Sequence, residues 1–309
     1  MAVHRRPKEA IDGLLLLNKP SGMTSNRALQ IVRRLLNAKK AGHTGSLDPS
    51  ATGMLPLCFG EATKVCAYLL DADKTYRVTA RLGSATDTGD ADGKETASAV
   101  VPDLSAEDWS QILQGFVGES QQIPPMYSAL KKDGKRLYEL ARKGEVVERQ
   151  PRKIKVNEIS LLEAAGARLV FRVSCSKGTY VRTLVEDIAK CAGTLAHTVR
   201  LHRESVGHFA AADMLDLATV EALSEDDPEG LKGRLLRPDD ALSDFPAVTL
   251  DREAGERFSG GQAIAGPVDA EDGLVRVYGP DELFLGVGEL QADGLVAPRR
   301  VFHLQARNP

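Results

Sequence analysis

Between two stretches that favour burial lies AGHTGSLDPSATG, residues 41–53, with three glycines, one proline and almost nothing to bury. Such a run cannot fill a core, and it has too many turn formers to continue a helix or strand, so it predicts a shaped loop. Its surroundings fix where that loop begins and ends. Residues 13–17 (GLLLL) are an apolar run closed by the turn-rich NKPSG, as expected of a buried strand entering a loop. A helix follows. Thr24 or Ser25 can cap its first turn, Leu29, Ile31, Val32, Leu35 and Leu36 recur at helical spacing, and Arg33, Arg34, Lys39 and Lys40 make its end basic. The chain must therefore carry a carboxylate, Asp48, on a glycine-rich loop just beyond a basic amphipathic helix.

Downstream, residues 74–82 (KTYRVTARL) alternate as a strand does, and 83–93 (GSATDTGDADG) form an acidic turn loop. The D-x-D pattern there lacks the twelve-residue spacing and closing Glu of a calcium loop, so no metal is expected. Residues 103–117 predict a capped helix with Trp109, Ile112, Leu113, Phe116 and Val117 in the core. Pro124 and Pro125 then break the chain before a basic arm, 127–155. Residues 168–175 predict a strand and 180–191 a helix whose Val181, Leu184, Val185 and Ile188 face the core. Residues 217–241 turn acidic and polar and suggest a linker. From 245 to 309, short apolar runs separated by Gly260-Gly261, Gly279-Pro280 and Gly294 suggest a small all-β barrel or sandwich.

The 309 residues are 42% hydrophobic and 27% charged, which excludes whole-chain disorder and allows about two domains. No window approaches the roughly 18 apolar residues of a membrane span, and the charged start lacks a signal-type apolar run, so a cytoplasmic protein is expected. Cys58, Cys66, Cys175 and Cys191 show no C-x-x-C spacing and read as small reduced core residues. The net charge of -3 hides an alternation. Lys plus Arg outnumber Asp plus Glu by 10 to 4 over residues 1–70 and by 17 to 8 over 131–203, whereas the acids lead by 10 to 4 over 71–130 and by 21 to 9 over 204–309. Two basic blocks on a near-neutral chain favour a polyanion bound over part of the surface, with nucleic acid the leading candidate.

On spacing alone Asp48 could simply cap a turn, and Arg182 could be an ordinary helix surface residue. Four strings in order change that reading: LNKPSGMTS, GHTGSLDPSATGMLP, KTYR and KGTYVRTL. Together they resemble the bacterial tRNA pseudouridine-55 synthases over residues 13–208, and the tail VRVYGPDELFLGVGEL resembles, less specifically, the RNA-binding PUA domain carried by such enzymes. The resemblance implies that Asp48 is the essential catalytic group and that Arg182 pairs with it, as a fork keeping the carboxylate ionised and aimed. It implies that Tyr76 stacks on the target uracil and helps a proton leave C5, and that Tyr180 and Leu201 line the same pocket. His43 would contact RNA near the vacated position, and Lys19 would support the loop or touch phosphate. A base folded inside a T-loop hides its glycosidic bond, so the nucleotide must be extruded and given a new stacking partner.

The expected architecture is α+β: a catalytic domain over residues 10–245, built on a mixed, largely antiparallel sheet with flanking helices, then a small all-β PUA-like domain over 246–309. No nucleotide, metal or redox signature is present in the sequence, so no cofactor is expected. The expected partner is the T-arm of tRNA, bound by a monomer needing no obligatory protein partner and no membrane. Two rivals fit less well. A non-catalytic RNA binder or tRNA-folding chaperone has no need of Asp48, Tyr76 and Arg182 together, and a glycoside hydrolase needs a second acid opposite Asp48.

Overall fold

The computed structural model describes residues 7–266 and 273–304. The first residues of the charged start, and residues 267–272 and 305–309 of the expected C-terminal domain, lie outside that description. The strands run in chain order as β1 (Gly13–Lys19), β2 (Ala41–His43), β3 (Thr52–Phe59), β4 (Lys74–Leu82), a short ladder of β5 (Ser84–Thr86) and β6 (Glu95–Ser98), and β7 (Gly118–Gln122). A two-residue ladder of β8 (Lys131–Lys132) and β9 (Lys135–Arg136) precedes β10 (Arg152–Ala165), β11 (Arg168–Cys175), β12 (Ala196–Val206) and β13 (Leu215–Asp216). The main sheet has the order β13-β1-β3-β12-β4-β11-β10-β7, with β2 on β3. Only β1–β13 and β3–β12 are parallel, so the sheet is mixed and largely antiparallel, as the sequence suggested.

Helix α1 (Ser25–Leu35) is capped by Thr24, whose side chain accepts from the Arg27 amide. It lays Ala28, Leu29 and Val32 against Leu15, Leu17, Leu55 and Leu57 of β1 and β3. Helices α3 (Ala106–Gln114) and α5 (Val181–Cys191) cover Val78, Ala80, Phe171 and Val173 on β4 and β11. Short α2 (Cys66–Asp71) packs on the other face of β1 and β3, with Leu14, Leu16, Met54 and Cys58. The arm holds a single helical turn, α4 (Leu137–Ala141), pinned by buried Leu137 and Leu140.

The structure departs from the sequence reading in several places. The ends of the 41–53 loop are drawn into β2 and β3, leaving residues 44–51 irregular. Helix α3 stops at Gln114 and Val117 is exposed, because Gly115 and Gly118 end the helix and start β7. The last residues of the arm, from Arg152, belong to β10 and pair with β7. The presumed linker is α6 (Leu217–Asp226) and α7 (Pro228–Gly233). Asp227 and Pro228, read as a break, cap and open α7, while Val220, Leu231 and Leu235 are buried with α1.

The C-terminal residues form a five-stranded sheet ordered β14 (Ala247–Thr249), β16 (Gly273–Tyr278), β17 (Phe284–Leu290), β18 (Leu295–Val301) and β15 (Ile264–Ala265). This β unit also carries one helix, α8 (Arg252–Ser259), whose Phe258 fills its core. It is seated on the main unit through Phe284, Val287 and Phe302, which join the cluster around α2.

Candidate functional site

The segment 44–51 lies over the sheet face shared by α1 and α5, and side chains from distant elements hold it there. Ser25, the first residue of α1, is spared from capping by Thr24. Its hydroxyl donates to the Leu47 carbonyl (3.1 Å) and accepts from the Leu47 amide (2.8 Å). Lys19, at the end of β1, is fully buried, and its ammonium donates to the carbonyls of Pro20 (2.8 Å), Met23 (2.8 Å) and Pro49 (3.2 Å). With three carbonyls on one ammonium and no exposed surface, Lys19 has nothing left to offer a phosphate. Burial pushes its pKa down to about 8. Arg203 of β12, also buried, reaches the Gly45 carbonyl at 2.9 Å.

Asp48 stands at the middle of this segment, with 40% of its side-chain surface open. Arg182 Nε lies 3.0 Å from its Oδ2. This is not a two-pronged fork on one carboxylate. Nη1 donates to the Thr88 carbonyl (2.6 Å) and stands 3.7 Å from Asp90 Oδ2, while Nη2 donates to the Tyr127 carbonyl (2.7 Å). One guanidinium thus joins the Asp48 loop, the acidic 83–93 loop and the root of the basic arm. Burial raises the Asp48 pKa above the ordinary aspartate value. Arg182 opposes that shift, and the negative charge of Asp90 adds to it.

Asp48, Ser50, Ala51, Asp90, Arg182, Thr198, Val199 and Leu201 line a small open hollow. A bulge at Val199 separates the Thr198–Ala80 pairing from the Arg200–Thr79 pairing, which puts Thr198 and Leu201 on the same face of β12. Of the residues singled out in the sequence, Asp48, Arg182 and Leu201 meet in this wall. Tyr76 is 9% exposed and packs in the core cluster that contains Leu47, Ala51 and Leu201. Burial raises its phenol pKa, and the Arg203 charge opposes that shift. Tyr180 precedes α5, and the Gln122 side chain brackets its backbone, accepting from its amide (2.8 Å) and donating to its carbonyl (3.1 Å). His43 ends β2, with its Nδ1 enclosed and unpartnered among the described residues. Burial, and then the Arg203 charge, push its pKa down, which keeps the imidazole neutral.

Sequence reasoning missed Asp90, Ser25 and Arg203. The sequence places Asp90 only in an acidic turn loop, whereas in the structure Thr88 Oγ1 donates to its Oδ1 (2.6 Å) and it faces Arg182. Among the described residues there is no cluster of three or more metal-ligating side chains, and no helix is long and apolar enough to cross a membrane.

Residues 33–181 match the TruB family pseudouridylate synthase (N terminal domain), residues 182–243 the tRNA pseudouridylate synthase B C-terminal domain, and residues 246–302 the C-terminal domain of pseudouridine synthase II TruB. The chain is 49% identical over 302 residues to a tRNA pseudouridine synthase B of Pseudomonas putida, covering 97% of this chain and 99% of that protein. It is 47% identical over 296 residues to the protein of that name from Nitrosococcus oceani, covering 96% of each. Among solved structures, a chain in the crystal structure of a Cbf5-Nop10-Gar1 complex superposes with a TM-score of 0.74 at 26% identity, over 94% of this chain and 85% of that one.

Proposed function

Because this chain belongs to the TruB pseudouridine synthase family, whose members are isomerases, we propose that it converts uridine to pseudouridine in tRNA, at position 55 of the T-loop, with Asp48 as the catalytic carboxylate. The observation that carries this reading is the recessed Asp48–Arg182 pair, open on one side to a hollow beside a buried aromatic ring. The target nucleotide leaves the T-loop stack and enters the hollow, with Tyr76, Tyr180 and Leu201 receiving the base. The bond from ribose C1′ to uracil N1 breaks, and its electron pair stays on N1. The base turns, C5 bonds to C1′, the C5 proton goes to solvent and N1 takes one up, so substrate and product have the same composition.

Both routes open to Asp48, attack on the sugar and abstraction of a neighbouring sugar proton, need the ionised carboxylate. Arg182 supplies the opposing charge and fixes the direction in which Asp48 points. His43, neutral and close to the loop, meets the RNA where the base has left. Residues 10–245 act as the catalytic domain, the arm at 127–155 clamps the T-stem backbone, and 246–309 act as a PUA-like RNA-binding domain. The protein works as a cytoplasmic monomer.

The test is tritium release from tRNA labelled at uracil C5. Release from wild-type tRNA, and none from the T-loop site in a tRNA with cytidine at position 55, is the expected result. Tight binding with no release would replace this reading with that of a non-catalytic binder or chaperone.

A further inference from the structure

Arg203 is a buried cation beside the Asp48 loop to which the site description gives no chemical role. Arg203 is 1% exposed, and among the described residues no carboxylate pairs with it. Its Nε donates to the Met54 carbonyl (2.6 Å) and its Nη2 to the Gly45 carbonyl (2.9 Å). Gly45 lies near the start of the irregular segment that has Asp48 at its centre, and Met54 lies just past its end in β3. A buried guanidinium satisfied only by neutral oxygens is costly, and an apolar side chain of similar volume would serve folding at least as well. The strands on either side of it pack closely. Arg203 is paired with Gly53 in the parallel β3–β12 register, and Gly53, at φ +100°, could not carry a Cβ without striking the Arg203 backbone. On its other side Arg203 is paired with Tyr76 of β4.

We infer that Arg203 is a positioning residue for the isomerisation, tying both ends of the Asp48 loop to the strand opposite Tyr76 and so fixing the height of the carboxylate above the ring. Nε and Nη2 form one edge of a rigid plane, so they hold the two carbonyls at a set separation. A lysine brings the same charge as a single point donor and cannot span both. The buried charge also acts on its neighbours, opposing the upward shift that burial gives Tyr76 and adding to the downward shift that burial gives His43.

This inference rests on the isomerase reading, and the experiment separates the two. Wild-type enzyme in excess over C5-tritiated tRNA gives the single-turnover rate, and filter binding gives affinity. No tritium release by the wild type would defeat the isomerase reading itself. With an active wild type, Arg203→Lys is expected to lower the single-turnover rate by about 10- to 100-fold, since small misplacement of a reacting group costs that much, while tRNA affinity stays within about threefold. A folded Arg203→Lys enzyme with a rate within twofold of wild type would overturn the inference, as would a fall in rate fully matched by a fall in affinity. Should the lysine variant fail to fold, Arg203→Gln keeps a planar side chain with a single donor group and no charge, and cannot span both carbonyls. A single-turnover rate lowered about tenfold or more at unchanged affinity in that variant supports the inference, and a rate within twofold of wild type overturns it.

Discussion

Two irregular segments of this protein, residues 44–51 and the arm at 127–151, use basic residues in opposite ways. Around the first, Lys19 and Arg203 are turned inward onto the carbonyls of Pro20, Met23, Pro49, Gly45 and Met54. On the second, Lys131, Lys132, Lys135, Arg136, Arg142 and Lys143 are all exposed. Their ties are few: Lys132 to the Glu148 carbonyl, and Arg136 and Arg142 over the ring of Tyr138. A cation spent on backbone oxygens holds a shape, whereas one left in water is free to meet a phosphate. Arg182 is the link between the segments, bonded to Asp48 in one and to the Tyr127 carbonyl in the other.

The difference can be tested from either side. Asp48→Asn should abolish turnover, by on the order of a thousandfold or more, while tRNA affinity stays within a few-fold, because only a charge used in the chemistry is removed. The same change should leave the melting temperature equal or higher, since a carboxyl whose pKa is raised by folding disfavours the folded state when ionised. Tritium release and calorimetry on one preparation check both halves. Arg182→Ala comes next, with a rate loss of roughly a hundredfold and a melting point lower by a few degrees, because the Thr88 and Tyr127 carbonyls lose their donor.

In the arm, replacing Lys131, Lys132, Lys135 and Arg136 by Gln should leave the single-turnover rate on saturating tRNA intact. It should weaken binding to every tRNA, flattening the salt dependence by roughly one unit of slope for each phosphate no longer neutralised. An unchanged slope in filter binding would place the RNA track elsewhere and break the contrast drawn above. The smallest effect concerns pH. Activity needs Asp48 ionised, so it should fail on acidification at a higher pH than an exposed aspartate would dictate. Asp90→Asn removes a charge that raises the Asp48 pKa, and it should move that acid limb to lower pH, read from single-turnover rates.

Strands β4 and β11 and helices α1 and α5 were legible by a clear period and β1 as an apolar run closed by a turn, and the bounds of β1, β4, β11 and α5 agree to within two residues. Helices α6 and α7 were not, since Val220 and Leu231 give each a single buried anchor and the charged remainder looks like a linker. Asp48 was conspicuous as the carboxylate of a glycine-rich loop, but its partners answer to the sheet rather than to spacing. Asp90 enters through the loop after β5, Ser25 by yielding the cap to Thr24, and Arg203 through pairing with Gly53 and Tyr76. No local pattern records a contact between residues 45 and 203, and a lone arginine in a strand looks like any solvated one.

The strand order carries a consequence for how the protein is made. Strands β3 and β4 follow one another along the chain, but β12 lies between them in the sheet. During vectorial synthesis both therefore present bare edges until residue 206 has left the ribosome, and Arg203 is among the last groups to arrive. A chain stalled before β12 holds the Asp48 loop by Lys19 and Ser25 without Arg203, beside two unpaired strand edges, a species prone to aggregation before it can act on any RNA.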